Sequence, residues 1–235
     1  MDLEDLRRTW DAFACLNPMW AVLTAGKKPD YQWDEDAFYQ NGSNSINFII
    51  QQCLHCWLDF PRTRALDFGC GIGRLSLRLA DWFEQVDGVD ISSEMIAHAM
   101  KSAKLRGITN CCFHENPSPD LGCFCDSSFD FIVSMIMLQH MEPQFSKAYL
   151  REFVRLLRPD GVLCFQLPEE IQTQATYRCF DDAAEGPEME MYGIPRSEVC
   201  DFMESMGAEV NAIIRDNACG PDVRSFRYFV KRKIA

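Results

Sequence analysis

Ala65-Leu-Asp-Phe-Gly-Cys-Gly-Ile-Gly73 is the stretch that decides the fold. A short apolar run interrupted by one acid leads into a turn with glycine at alternate positions. Glycine adopts backbone conformations that other residues avoid and leaves room for a ligand against the main chain. A strand, a glycine-rich turn and a helix make a nucleotide-type cradle at the carboxyl edge of a parallel sheet. A strand is therefore expected over 64–68 and a helix over 72–83.

The alternation continues on the carboxyl side. Residues 86–90 read as a strand, and Ser92 or Ser93 caps a helix running to about 106. A further strand is expected at 111–115. The near-continuous apolar run 129–135 has the character of a strand buried on both faces. Pro143 opens a helix through 157, and Pro159-Asp-Gly161 turns into a strand over 162–167. Residues 168–194 are acidic with few periodic apolar positions, and read as a loop or lid. Pro195 starts a helix with Val199, Phe202, Met203 and Met206 inward, stopped by Gly207. Two strands, 208–216 and 225–232, finish the chain. Strands alternating with helices imply an α/β fold with a mostly parallel sheet. On the amino side, Leu3, Leu6, Trp10 and Phe13 have helical spacing. An aromatic, irregular stretch from Asn17 to Trp33 follows. Ser43 or Asn44 then reads as the N-cap of a helix ended by Pro61. The expected organisation is a helical, aromatic lid over 1–60 and a core over 61–235, with 168–194 as an insert on the substrate side.

The 235 residues are 47% hydrophobic and 25% charged, ordinary values for a globular chain. A net charge of −12, with Lys231-Arg-Lys233 as the densest basic run, disfavours nucleic acid as a partner. The acidic start Met1-Asp-Leu-Glu-Asp lacks a signal-peptide pattern. No apolar run reaches the roughly 18 residues that span a bilayer. A cytoplasmic protein without a membrane partner is expected; the oligomeric state is left open. The twelve cysteines read as free thiols. Neither Cys53-Leu-His-Cys56 nor the group Cys111, Cys112, His114, Cys123 and Cys125 has the second half of a zinc site, so no metal is expected.

The glycine segment discriminates among ligands. It does not match a P-loop. A dinucleotide fingerprint would place Arg74 or Ser76 where glycine or alanine is needed for tight packing. Asp67 is the sharper objection, since a carboxylate directly before the glycines would repel a pyrophosphate. S-adenosylmethionine (SAM) has no phosphate and carries a sulfonium and an ammonium, which a carboxylate attracts. Asp90 ends the next strand, where an acid about 20 residues on binds ribose hydroxyls.

Leu66-Asp-Phe-Gly-Cys-Gly-Ile-Gly73 together with Val89-Asp-Ile-Ser-Ser-Glu-Met95 resembles the class I, Rossmann-like SAM-dependent methyltransferases. Ser128 to His140 is similar to the family's fourth strand and following loop, and Leu156-Leu-Arg-Pro-Asp-Gly-Val-Leu163 to the turn into its fifth. The resemblance implies a three-layer sandwich around a seven-stranded sheet with an antiparallel C-terminal hairpin. It implies SAM as cofactor and S-adenosylhomocysteine as product. By position, Asp67, Gly69, Cys70, Gly71 and Gly73 would line the methionine and ribose part of SAM. Asp90 would hold the ribose, with Ile91 and Met95 against adenine. Asp120 and Leu121 fall where adenine-edge contacts lie, and Ser134 near the methionine end. Arg74 either pairs with the methionine carboxylate or is a surface helix residue.

Methyl transfer is an in-line displacement that needs a positioned nucleophile and a dry site. A hydroxyl nucleophile needs a base, and His140 is the candidate. Trp10, Trp20, Tyr31, Trp33 and Phe38 are expected to fold over the ligand edge, with Tyr177 and Tyr192 as further substrate contacts. Asn17-Pro-Met-Trp-Ala-Val-Leu-Thr24 and Met191-Tyr-Gly-Ile194 are similar to a bacterial subgroup of small-molecule methyltransferases. That likeness implies a small acceptor, an amine or guanidine metabolite in a biosynthetic pathway. O-methylation with His140 as base, and a non-catalytic SAM-binding protein, are the alternatives.

Overall fold

Alternation of side chains across each central strand sorts the apolar residues onto two faces. In the computed structural model, which describes residues 2–24, 30–170, 177–178, 188–220 and 223–233, β1 (Arg64–Phe68) sends Leu66 and Phe68 to one core and Ala65 to the other. β4 (Phe129–Ser134) divides Ile132 from Phe131 and Val133 in the same way. The first core is covered by α6 (Pro143–Leu156) and α7 (Arg196–Ser205), through Leu150, Phe153, Val199 and Met203. The second is covered by α3 (Glu35–His55), through Ile46, Ile49, Ile50 and Cys53. These are the three layers of the sandwich.

The remaining strands are β2 (Gln85–Asp90), β3 (Cys111–Glu115), β5 (Leu157–Pro168), β8 (Ala208–Asp216) and β9 (Ser225–Arg232). Together with β1 and β4 they form a seven-stranded sheet in the order β3-β2-β1-β4-β5-β9-β8. β9 lies antiparallel between β5 and β8; the other neighbouring pairs are parallel. A separate pair, β6 (Tyr177–Arg178) and β7 (Glu188–Met189), belongs to the acidic insert. The order reverses between β1 and β4, where ligands enter sheets of this kind. α5 (Ser93–Leu105) begins on the Ser92 N-cap, whose hydroxyl oxygen accepts from the Met95 amide at 3.1 Å.

The structure corrects four local expectations. α3 starts at Glu35, not after Ser43 or Asn44, because Asp34 accepts the Ala37 amide at 2.9 Å and acids fill the first turn. Ser43 is inside the helix and donates back to the Tyr39 carbonyl. The helix ends at His55, ahead of Pro61. Part of the irregular aromatic stretch is a short helix, α2 (Pro18–Val22), with Pro18 at its first position and Asn17 accepting from the Trp20 amide. The helix expected over 72–83 contracts to α4 (Ser76–Leu79), since Gly73 has φ +85° and breaks the helical path. β5 runs through the expected turn at 159–161. There Gly161 lets it approach β4: an added Cβ would lie 2.9 Å from the Asp130 carbonyl oxygen.

Candidate functional site

The carboxyl ends of β1, β2 and β4 open into a cavity. Its floor is Asp67, Gly69, Cys70, Gly71 and Asp90, with Ile91 and Met95 on one side and Met135, Ile136 and Met137 on the other. Its cover comes from α1 (Leu3–Leu16) through Leu6 and Trp10, and from α2 through Ala21 and Val22. A smaller space beside it is lined by Leu3, Ile91, Asn116, Met141 and Tyr149 among others.

The glycines are needed for their conformation and for close approach. Gly69 has φ +74° and Gly71 +52°. A Cβ on Gly69 would lie 2.0 Å from Met137 Cγ, and one on Gly71 2.6 Å from Val22 Cγ2. Both Asp90 oxygens organise the loop. Oδ2 accepts the Gly71 amide at 2.8 Å and Oδ1 the Ser92 amide at 3.0 Å. Burial pushes the Asp90 carboxyl up to about 6, against the pull of those amides. Asp67 accepts the Ser76 hydroxyl at 2.6 Å, and burial raises it likewise to about 6, opposed by the Ser76 bond and Arg74.

Arg74 is 5% exposed and lines the cavity. It donates to Asn41 Oδ1 at 2.9 Å, and its Nε is buried without a hydrogen-bond partner. Burial lowers it to about 10, with Asp67 acting the other way. Asn41 is opposite because α3 crosses the loop closely at Gly42, where a Cβ would meet the Arg74 carbonyl oxygen at 2.1 Å. Of the two readings left open for Arg74, the surface one is excluded by its burial.

His140 closes a 3₁₀ turn, Leu138–His140, and is 6% exposed. Its Nδ1 is 2.9 Å from the Glu190 carbonyl oxygen and its Nε2 3.1 Å from Gln139 Nε2. Burial lowers it to about 4. Trp10 packs edge-on to it at 5.4 Å.

The cavity thus brings together Asp67, Gly69, Cys70, Gly71, Arg74, Asp90, Ile91, Met95, His140 and Trp10. Gly73 lies just behind the loop, near Leu77 and Phe113. Other expected residues lie elsewhere. Asp120 is exposed and accepts the Gly122 amide, and Leu121 is buried in the sheet core. Asn116 is the residue of that loop at the smaller space; it donates to the Asp120 carbonyl, and sequence reasoning missed it. Ser134 is fully buried with its hydroxyl unpaired. Trp20, Tyr31, Trp33 and Phe38 do not line the cavity; they belong to a core cluster with Phe13, Ile72 and Leu77 behind it. Tyr192 bonds to Glu190 and donates its amide to the Gln139 carbonyl at 2.7 Å. The Tyr177 side chain lies outside the described residues, as do Asp181, Asp182 and Glu185. Among the described residues no group of three or more His, Cys, Asp or Glu could hold a metal ion, and no helix is long and apolar enough to cross a membrane. The Cys53 thiol, buried in the second core, is pushed up to about 12 by burial.

Residues 65–161 match the family described as "Methyltransferase domain". The chain is similar to the ubiquinone biosynthesis O-methyltransferase of Xanthomonas oryzae pv. oryzae, with 30% identity over 156 residues, 65% of this chain and 57% of the relative. It therefore spans a little over half the length of that curated relative. In fold it resembles the magnesium protoporphyrin IX methyltransferase of Synechocystis PCC 6803 with bound SAH, at a TM-score of 0.69, 16% identity and coverage of 99% and 100%. It resembles the [4+2]-cyclase SpnF equally well, at 0.69, 16%, 100% and 98%.

Proposed function

Because residues 65–161 match the family described as "Methyltransferase domain" and the fold resembles that of a SAH-bound methyltransferase, we propose that the chain moves the methyl group of SAM to a small-molecule acceptor. One observation carries the reading: Asp67, Asp90 and Arg74 surround a single cavity, and the buried Nε of Arg74 has no hydrogen-bond partner, Asp67 acting on the guanidinium only through its charge. Buried charges are ordinarily paired. Two acids and one arginine complement a ligand bearing a sulfonium, an ammonium and a carboxylate. The left-handed glycines leave main-chain room for it.

In this reading Asp90 accepts the ribose hydroxyls with lone pairs its amide partners leave free. Arg74 takes the methionine carboxylate, and Asp67 faces the cationic end. Bound SAM supplies an electrophilic methyl group on a sulfonium leaving group. The chain's own residues hold the acceptor and keep water out, α1 and α2 serving as the cover. The acceptor lies against Trp10, Ile136, Met137 and His140.

Among the described residues the acids lining this cavity are Asp67 and Asp90 on its floor, and Glu190 lines a separate small space beyond Trp10 and His140. The acceptor wall suits a neutral oxygen nucleophile, such as a phenol, better than the cationic amine or guanidine that the sequence favours. The O-methyltransferase name of the Xanthomonas relative points the same way.

The test is methyl-labelled SAM with a panel of phenols, amines and thiols. Label in a phenol is expected. Label in amines alone would reverse the choice of acceptor. SAM binding without transfer to any acceptor would favour the non-catalytic alternative, which a fold shared with a cyclase makes necessary to check. A thermal shift with NAD and none with SAM would overturn the reading altogether.

A further inference from the structure

Beneath the cavity wall a line of buried polar groups joins residues far apart in sequence. The Ile136 amide donates to Gln166 Oε1 at 3.1 Å. Gln166 Nε2 donates to Cys219 Sγ at 3.2 Å and to Ser225 Oγ at 2.5 Å. The Cys219 thiol donates to Gln139 Oε1 at 2.9 Å. Gln139 Nε2 is 3.1 Å from His140 Nε2, and His140 Nδ1 is 2.9 Å from the Glu190 carbonyl oxygen. Gln139, Gln166, Cys219 and Ser225 are buried.

Amide orientation and histidine tautomer are ordinarily open choices. Here the ends settle them. A backbone N–H can only donate, so Gln166 must turn its oxygen to Ile136 and its nitrogen to Cys219. A backbone carbonyl can only accept, so His140 must carry its proton on Nδ1. Gln139, caught between a thiol and Nε2, satisfies both only with its oxygen toward Cys219 and its amide protons toward the ring. Every donor in the line then faces the same way.

We propose that Gln139, Cys219 and Gln166 are positioning residues that lock His140 as the neutral Nδ1–H tautomer and hold Ile136 against the acceptor. The assignment of that wall to the acceptor rests on the function proposed above; the tautomer does not. Ile136 gives the line something to hold. It is β-branched with φ +59°, a conformation such residues rarely adopt and one that persists only where surroundings enforce it. With Nε2 engaged by Gln139, His140 is a fixed wall of the site and leaves the proton of the nucleophile to solvent or another group.

The imidazole nitrogen spectrum at pH 7 tests this without any methyl transfer, so its failure and that of the methyltransferase reading are distinguishable. His140→Phe identifies the His140 signals among the four histidines. The intact chain is expected to show a protonated Nδ1 and an unprotonated Nε2. Gln139→Glu puts an acceptor-only carboxylate beside Nε2, so the unprotonated Nε2 signal should be lost. Cys219→Ser keeps a hydroxyl donor in line and should retain the parent pattern. A proton on Nε2 in the intact chain overturns the proposal, whether or not the variants fold. So does a parent-like spectrum in a folded Gln139→Glu chain.

Discussion

The Gly71 amide donates to Asp90 Oδ2 at 2.8 Å, so the acid that ends β2 also pins the glycine turn that follows β1. Ligand binding and loop geometry therefore share one carboxylate. Asp90→Ala is expected to lose about tenfold to a hundredfold in SAM affinity by titration calorimetry, the range for hydrogen bonds to a charged group. It should also lose about 1–3 kcal/mol of stability in urea, because the Gly71 and Ser92 amides are left without their acceptor. Unchanged stability would mean that the loop does not depend on this bond.

Gly69→Ala combines two penalties. The left-handed backbone costs about 1–2 kcal/mol for a residue with a Cβ, and the new methyl would lie 2.0 Å from Met137 Cγ. Met137→Ala in the same chain removes the Cγ but keeps the Cβ, which a Cβ on Gly69 would meet at 2.6 Å, so it should relieve part of the second penalty and leave the first. Denaturation of the single and double variants measures the difference.

Arg74→Met should separate stability from binding. The buried guanidinium leans on Asn41 and Ser45 and feels the charge of Asp67 without a hydrogen bond to it. A buried charge without an ion-pair partner carries a desolvation cost that an apolar side chain removes. The melting temperature is expected to hold or rise while SAM affinity falls at least about tenfold. A parallel loss of both would assign Arg74 a purely structural role.

Affinity for SAM should rise between pH 5 and pH 7. In the free chain Asp67 and Asp90 are both held at about 6 by burial, so each is largely protonated at pH 5. A cationic ligand binds the ionised forms. Stability of the free chain follows opposing trends. The two acids stabilise the fold below the ordinary carboxylate range, and that contribution is lost as the pH rises through about 6. His140, held at about 4, does the reverse: its contribution is complete above 6.5 and is lost as the pH falls toward 4. Thermal shifts by SAM at several pH values check the first point, with Asp67→Asn expected to flatten the slope. A shift independent of pH would contradict it.

Much of this was legible along the chain because the information is local. The order of strands and helices follows from apolar periodicity, and the cradle follows from three glycines between a strand with an acid one residue from its end and a strand that ends in one. Where local signals competed, the structure chose by packing. Ser43 and Asn44 look like caps, but Asp34 with its acidic neighbours starts the helix earlier and lets Phe38 be buried. Gly161 looks like a turn, yet it serves the close approach of two strands. The aromatic residues of the first forty positions looked like a single cover. Among the described residues Trp10 is the one of them that reaches the main cavity, because Trp20 packs on Phe13 and Trp33 on Phe38 within the cluster behind it.

The sequence by itself determined the strand, the glycine turn and the carboxylates that flank it, since each depends on residues within a few positions. It also pointed to the kind of ligand, because charge signs are written in residue types. Only the tertiary structure decided the state of those charges. Asn41 meets Arg74 from 33 positions away, and Cys219 meets Gln139 from 80. Burial and partnership are set by such distant contacts, and they are what raise Asp67 and Asp90, lower Arg74 and lower His140.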